Sequence, residues 1–266
     1  MQLAIPSTLA SSLRVQWRVI YALLMREIIT RFGRHNIGFL WLFLEPILFT
    51  VGVVILWTQT RNLHGFRVDV APFIVTGYST LLMWRNCSFR GIKAIEANRS
   101  LMYHRNVRVI DIFFARMTLE VLAVTASILT VMVTLWLLEF IKPPSDSLLM
   151  LCGWFFLAWF SVCLGVILGC LSEYSDIVER LWHPMSYFML SVSGAFFMAD
   201  WLPTFLHPFA PYVPMLNASE MIRSGYFGDK VITHYDMQIG AFICSVMTLI
   251  SLALIVKVRA LLESKG

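Results

Sequence analysis

The sequence predicts an all-α membrane protein with six transmembrane helices, from its composition and from six long apolar runs. Of its 266 residues, 58% are hydrophobic and only 14% are charged, whereas soluble chains are about 45–50% apolar and about 25% charged. A spanning helix needs about 20 apolar residues. The composition therefore predicts a single membrane domain over residues 1–266. It excludes a disordered chain, a secreted disulfide scaffold and a soluble enzyme.

Six apolar runs predict the positions of the spans. The first run is broken by Glu45, which is followed by Pro46, and the fourth has no charge at all. The fifth run is centred on residues 185–199, and its helix is expected to begin earlier, near Ile177. The first, third, fourth and sixth runs have a length that suits a membrane helix. The expected spans are residues 37–57, 70–84, 121–138, 148–171, 185–199 and 239–256.

Residues 13–34 predict an N-terminal amphipathic helix that lies at the membrane interface. Arg26, Glu27 and Arg31 are among its charged residues, which are too many for a span. At 100° per residue, apolar side chains cluster on one face, as interfacial helices require. A helix packed against the spans is the alternative. The predicted apolar face consists of Leu13, Trp17, Ile20, Leu24 and Ile28.

A proline-rich stretch separates the last two spans. Residues 201–216 are apolar and aromatic but contain four prolines, which interrupt helical hydrogen bonding. Irregular backbone at membrane depth is tolerated only where protein or water satisfies it. We therefore expect a re-entrant or interfacial segment over residues 201–223. Asn217 or Ser219 is expected to cap a short helix there, and Gly225 to end it.

The distribution of basic residues predicts the orientation. On one side of the expected spans lie 16 of the 21 lysines and arginines, in the N-terminal segment, residues 85–116, the fourth connection and the tail. Basic residues concentrate on the cytoplasmic side of membrane proteins. Both termini are therefore predicted to be cytoplasmic, which agrees with an even number of spans.

Two cytoplasmic connections could dock a soluble partner. Residues 85–116 form an unusually long connection with seven basic side chains, although topology signalling and binding to anionic lipid would also explain them. Glu173, Asp176 and Glu179 make the next cytoplasmic connection acidic. Topology does not require acidic residues, so this connection is a plausible second docking point.

Charged and aromatic residues of the spans are candidates for a channel or gate. Glu45 lies inside span one, and Arg116 and Glu120 are spaced to pair on one helix face. Such groups are costly in a membrane and line a cavity or form structural ion pairs. Tyr78 and Trp84 are further candidates, because aromatic faces stack on sugars as well as anchoring helices at the interface.

The sequence lacks motifs for phosphate binding and for metal binding. No GxxxxGK[ST] phosphate-binding loop occurs. The six histidines lie at span edges or in loops, and none forms an i, i+4 pair with a second ligand. We therefore expect no metal site, no catalytic residues and no nucleic-acid partner.

The chain resembles a known family over nearly its whole length. The N-terminal motifs are similar to those of permeases of polysaccharide-exporting ABC (ATP-binding cassette) transporters, and later motifs to the capsule-export branch of this ABC-2 type. The resemblance is carried by residues 25–33 (MREIITRFG), 37–41 (IGFLW), 45–46 (EP), 94–98 (AIEAN), 103–108 (YHRNVR), 115–120 (ARMTLE) and 217–228. Residues 103–106 lack a proline that some relatives carry, which leaves the coupling geometry open.

The resemblance implies an assembly in which this chain is not itself an enzyme. A second copy of the chain and two copies of a cytoplasmic ABC ATPase would complete it. ATP and Mg would bind to the ATPase, and this chain would hold no cofactor. Glu96, Asn98 and Arg99 would belong to a coupling helix in the ATPase groove, and Glu173 and Asp176 to a second contact.

The resemblance also implies the cargo and its location. The cargo would be a lipid-linked capsular polysaccharide, exported across the bacterial inner membrane and handed to periplasmic and outer-membrane components. O-antigen and teichoic-type polymers remain alternative cargoes. A passive channel, which would need no ATPase, is an alternative of another class.

Overall fold

The computed structural model describes residues 9–32, positions 44, 47–49, 51–53 and 55, and residues 69–103 and 107–265. Within these residues the regular structure is helical, without strands. Glu45 and most of expected span one lie outside the described residues. The α-helices are α1 (Leu9–Phe32), α2 (Val70–Gly91), α3 (Val109–Leu137), α4 (Ser147–Ser172), α5 (Ile177–Val192), α6 (Pro214–Phe227) and α7 (Met237–Lys265). Short 3₁₀ helices cover Glu96–Tyr103, Ala199–Trp201, Thr204–Tyr212 and Gly228–Lys230.

Three helices of the described part are long and apolar enough to cross a membrane. They are Val109–Leu137, Ser147–Ser172 and Met237–Ser264, which correspond to expected spans three, four and six. α2 and α5 occupy the positions of spans two and five. The all-helical architecture is consistent with a membrane protein, while the count of six spans stays a prediction.

α4 lies at the centre of the packing and contacts α2, α6 and α7. Its crossing with α2 is close because glycines meet there. A Cβ at Gly169 would lie 2.4 Å from the carbonyl oxygen of Gly91, and one at Gly91 would lie 2.0 Å from that of Gly165. Small residues spaced four apart allow helix backbones in membranes to touch. The contact holds α2 against α4 directly beside the connection that follows α2.

The connection expected over residues 85–116 is shorter than predicted. α2 continues to Gly91 and α3 begins at Val109, so residues 92–108 alone join the two helices. The charges of Arg90 and Arg116 ended the apolar runs but not the helices, because both side chains find acidic partners in the fold. The length of an apolar run therefore predicts the apolar part of a helix but not the residues at which the helix begins and ends.

The expected fifth span is wrong at its end. α5 stops at Val192, and Gly194 then adopts a φ of +73°, which favours glycine because it has no Cβ. The following residues up to Tyr212 contain only 3₁₀ turns, which confirms that the prolines prevent a continuous α-helix. The depth of this segment in the membrane stays a prediction.

The predicted caps of the short helix in this region are also wrong. α6 begins at Pro214 rather than at Asn217 or Ser219. Proline suits the first helical position, because the N–H that it lacks would have no helical partner there. The helix passes through Gly225, which packs against the backbone of Met150. It ends at Phe227 and is followed by the C-cap residue Gly228, whose φ is +58°.

Candidate functional site

One end of the helical bundle collects charged residues from distant parts of the chain. They come from α1, the end of α2, the connection after it, the start of α3, the connection between α4 and α5 and the first turn of α5. We call this region the charged end. Its residues are Arg26, Glu27, Arg90, Lys93, Asn98, Arg99, Arg116, Glu120, Glu173 and Glu179.

α1 is fastened to α3 by polar side chains. Arg116 Nε donates to Glu27 Oε1 over 2.8 Å, and the two side chains are only 13% and 14% exposed. Gln16 also donates to Asp111. One side of α1 therefore packs against the bundle, as the alternative interpretation of this helix allowed. The side chain of Arg31 lies outside those described.

The outward face of α1 differs from the predicted apolar face. Trp17 is 67% exposed as expected, but Ile20 and Leu24 are half-buried, and the exposed apolar side chains include Tyr21 and Ile29. Lipid and protein both accept apolar side chains. Periodicity therefore did not distinguish the face of α1 that packs on the bundle from the face that is exposed. An exposed apolar side remains for the membrane interface.

The expected pair of Arg116 and Glu120 is replaced by pairs with other helices. Arg116 contacts Glu27 and also donates to the carbonyl oxygen of Arg90 over 3.2 Å. The carboxylate of Glu120, 2% exposed, lies 3.3 Å from Arg90 Nε. The prediction of an i, i+4 pair is therefore wrong. Both residues thus take part in ion pairs between helices, and their role in a channel or gate stays a prediction.

The connection after α2 is anchored on α1 by Asn98. Arg26 Nη1 donates to Asn98 Oδ1 over 2.7 Å, and Asn98 Nδ2 donates to the carbonyl oxygen of Ala94 over 2.8 Å. Because Asn98 is buried and both ends of its amide are engaged, its side chain supports the connection from within. It is not presented to a partner, unlike the exposed Glu96.

Two ion pairs join the connection after α2 to the acidic region that was expected to be a second docking point, one to the α4–α5 connection and one to the first turn of α5. Arg99 Nη2 lies 3.1 Å from Glu173 Oε2, and Lys93 Nζ lies 2.8 Å from Glu179 Oε2. The hydrogen bond to Glu179 raises the pKa of Lys93 above its ordinary value. Glu173 is largely buried, while Asp176 stays exposed. The two connections form one continuous surface.

Tyr78 and Trp84 lie inside the packed core of the chain. The Tyr78 ring stacks on Phe49, with ring centroids 3.8 Å apart. Trp84 is fully buried, and its indole N–H has no hydrogen-bond partner in the described part of the chain. Trp84 is therefore not an interface anchor of the usual exposed kind. Its role in a gate stays a prediction, as does that of Tyr78.

A second polar cluster, which the sequence analysis missed, lies in α6. Arg223 is fully buried and donates to the carbonyl oxygens of Ala195 over 2.9 Å and Phe197 over 2.5 Å. The Glu220 carboxylate accepts the backbone N–H groups of Ala199 and His234, both over 3.1 Å. The i, i+3 spacing of Asn217, Glu220 and Arg223 was the available signal. This cluster ties the proline-rich segment to α6.

The sequence profile of the ABC-2 type transporter family matches residues 18–227. The capsule polysaccharide export inner-membrane protein BexB of Haemophilus influenzae is 43% identical over 96% of both chains. CtrC of Neisseria meningitidis serogroup B, which bears the same description, is 42% identical over 92% of this chain and 93% of its own.

A more distant relative is the polysialic acid transport protein KpsM of Escherichia coli. It is 28% identical over 85% of this chain and 89% of its own. The profile match includes the whole charged end and α6. The resemblance drawn from the motifs is thereby confirmed, and the chain belongs to the ABC-2 type transporter family.

Proposed function

We propose that the chain is the inner-membrane permease subunit of an ABC transporter that exports capsular polysaccharide. The observation that carries the proposal is the 42–43% identity, over at least nine-tenths of both chains, to proteins described as capsule polysaccharide export inner-membrane proteins. Export of O-antigen or of a teichoic-type polymer is the alternative within this class.

The energy for export would come from a separate cytoplasmic ATPase. The sequence has no GxxxxGK[ST] loop, so ATP and Mg would be bound by the partner. Two permeases and two ATPases would form the transporter. ATP binding would close the ATPases, and the polysaccharide would pass between the two permeases, with Glu45 and the region of Arg116 and Glu120 near its cytoplasmic mouth.

The charged end is suited to receive the movement of the ATPase. Glu96, Arg99 and Asp176 are exposed there and would contact the partner. The Arg99–Glu173 pair joins the two connections, and the Lys93–Glu179 pair joins the first connection to the start of α5. Asn98 joins the first connection to α1. A push on this surface would therefore move α1, α2 and the α4–α5 connection together.

The topology completes the proposal. Six spans, including residues 37–57, would place both termini in the cytoplasm and residues 201–223 as a re-entrant segment near the opposite side. A lipid-linked polysaccharide would enter from the cytoplasm and pass to periplasmic and outer-membrane export components.

Deleting the gene and locating the polysaccharide tests the proposal. We expect loss of surface capsule with polymer accumulating in the cytoplasm, and restoration by the wild-type chain. Intact capsule with truncated lipopolysaccharide would replace the proposal by O-antigen export. No change in either polymer would overturn the proposed cargo.

A further inference from the structure

Three side chains that could bind a metal ion meet beside α6. Asp200, His207 and His234 belong to the 3₁₀ helix Ala199–Trp201, the 3₁₀ helix Thr204–Tyr212 and the segment before α7. Each offers one ligand atom, and the three atoms lie within 4.8 Å of one another. The two imidazole rings have centroids 4.2 Å apart. Spacing along the chain hid this cluster, because no two of its members share a helix.

The ring nitrogens of His207 and His234 are engaged in different ways. His207 Nε2 lies 2.9 Å from the carbonyl oxygen of Leu202, which can only accept a hydrogen bond, so Nε2 carries the proton and Nδ1 the lone pair. Histidines that bind metals characteristically donate their other N–H to a carbonyl or carboxylate in this way. His234 Nε2 is buried and has no hydrogen-bond partner among the described residues. A cation would satisfy that nitrogen.

α6 holds the ligand-bearing segments in place without any ion. The Glu220 carboxylate binds the backbone N–H of Ala199, beside Asp200, and that of His234. Asn217 exchanges two hydrogen bonds with the backbone of Asp236, of 2.8 and 2.9 Å. Since Glu220 and Asn217 are themselves buried, the backbone around two of the three ligands is held in position. Such supporting contacts are what a metal site needs.

The ligand types select the ion. Two imidazoles and one carboxylate suit Zn²⁺ with an open fourth position, whereas Ca²⁺ and Mg²⁺ prefer oxygen ligands alone. Zinc–ligand bonds of about 2.0–2.1 Å place tetrahedral ligand atoms about 3.3 Å apart. His234 Nε2 and Asp200 Oδ1 are 3.5 Å apart, and their side chains are 27% and 38% exposed. The pair therefore has nearly the required spacing and a path for the ion.

We propose that Asp200, His207 and His234 bind a zinc ion. The ion would cross-link the proline-rich segment to the start of α7, across the polar cluster of α6. The proposal concerns this chain's own residues and holds whichever polymer the transporter carries.

Zinc binding by the purified full-length chain tests the proposal. The protein is prepared in detergent without a histidine tag, stripped with a chelator and titrated with Zn²⁺ alone, and bound metal is counted by mass spectrometry. We expect one zinc ion per chain and a higher melting temperature with zinc. His207→Gln and His234→Gln should each lower the affinity by more than about 100-fold, because even residues that support metal ligands contribute about 10–100-fold.

His183→Gln is the matched control. His183 lies on α5 and contacts the carbonyl oxygen of Glu179, so its loss should leave zinc binding unchanged. Elution profiles and melting temperatures, measured in the presence of chelator, establish that each variant is folded. Asp200→Asn removes the carboxylate ligand while keeping the size of the side chain. The proposal is overturned if the wild-type chain binds no stoichiometric zinc. That result would mean that Asp200 and His234 form only a simple ion pair. Ligand variants that bind zinc like the wild type would also overturn it.

Discussion

Glu27 and Arg116 form the best shielded ion pair of the charged end. Their side chains are 14% and 13% exposed, so neither charge is well solvated. Removing one partner of a buried pair leaves the other charge uncompensated, which is far more costly than losing a surface pair. This residue-scale contact therefore decides how firmly α1 is held on α3.

Glu27→Ala should lower the free energy of unfolding by about 3 kcal/mol, the lower end of the range for a broken buried pair. Glu27→Gln should cost less, because its amide oxygen still accepts from Arg116. Melting temperatures in detergent measure both effects. The control is Glu263→Ala, which breaks a pair with Arg259 whose side chains are 65% exposed and should cost about 0–1 kcal/mol. Equal losses for Glu27→Ala and Glu263→Ala would contradict the structural role of Glu27.

Glu96 is the residue on which the docking proposal is most sharply tested. Its side chain is exposed at the start of the 3₁₀ helix that links α2 to α3. Glu96→Lys should abolish surface polysaccharide, because the lysine either repels a basic surface of the ATPase or no longer makes the contact of the carboxylate. The chain should still insert into the membrane at the wild-type level. Immunodetection of surface polymer and of the membrane-bound chain measures the two properties separately.

The matched control for Glu96 is Glu263→Lys. It makes the same charge change at an exposed carboxylate near the C-terminus, which is predicted to lie on the same side of the membrane, and should leave export intact. Unchanged surface polymer in Glu96→Lys would count against its docking role. Loss in both variants would point to a general effect of charge.

At the scale of elements, the crossing of α2 and α4 is the contact on which the charged end rests. α2 leads directly into the connection that carries Lys93, Glu96 and Arg99. A Cβ at Gly169 would lie 2.4 Å from the carbonyl oxygen of Gly91 and 2.5 Å from Phe113 Cε1. The backbone of α2 cannot yield without moving this connection.

Gly169→Ala should therefore destabilise the chain by about 1–3 kcal/mol, as overpacking of a close contact does. Melting temperature and the fraction of monodisperse protein in detergent provide the measurement. Gly52→Ala is the control, because no atom of the described residues lies within 4 Å of a Cβ added there. A Gly169→Ala variant as stable as Gly52→Ala would show that the helices can separate at no cost.

At the scale of the whole molecule, the proposal makes this chain one part of a machine whose energy comes from another chain. Purified without partners, the chain should hydrolyse no ATP. Extracted in mild detergent from its source bacterium, it should co-purify with a cytoplasmic ATPase, and the complex should show ATPase activity. Hydrolysis by the chain alone would contradict the proposal. Absence of any associated ATPase would favour the passive channel.

The amino-acid sequence was sufficient to establish the helical class and the approximate positions of most described membrane helices. Apolar composition fixes how much chain must avoid water, and α4 agrees with its expected span to within a residue at each end. Helix ends were mispredicted where charged residues, such as Arg90 and Arg116, continue a helix by finding partners in the fold. Order and spacing of the motifs also identified the family, because family motifs are local in the chain.

Only the tertiary structure decided which charges meet. Glu27 and Arg116 are 89 residues apart in the chain, and no periodicity within one helix relates them. The same holds for Asp200, His207 and His234, which lie on separate segments joined through α6. Local physical rules determine which residues leave water, whereas the partners of a buried polar group depend on how distant segments pack.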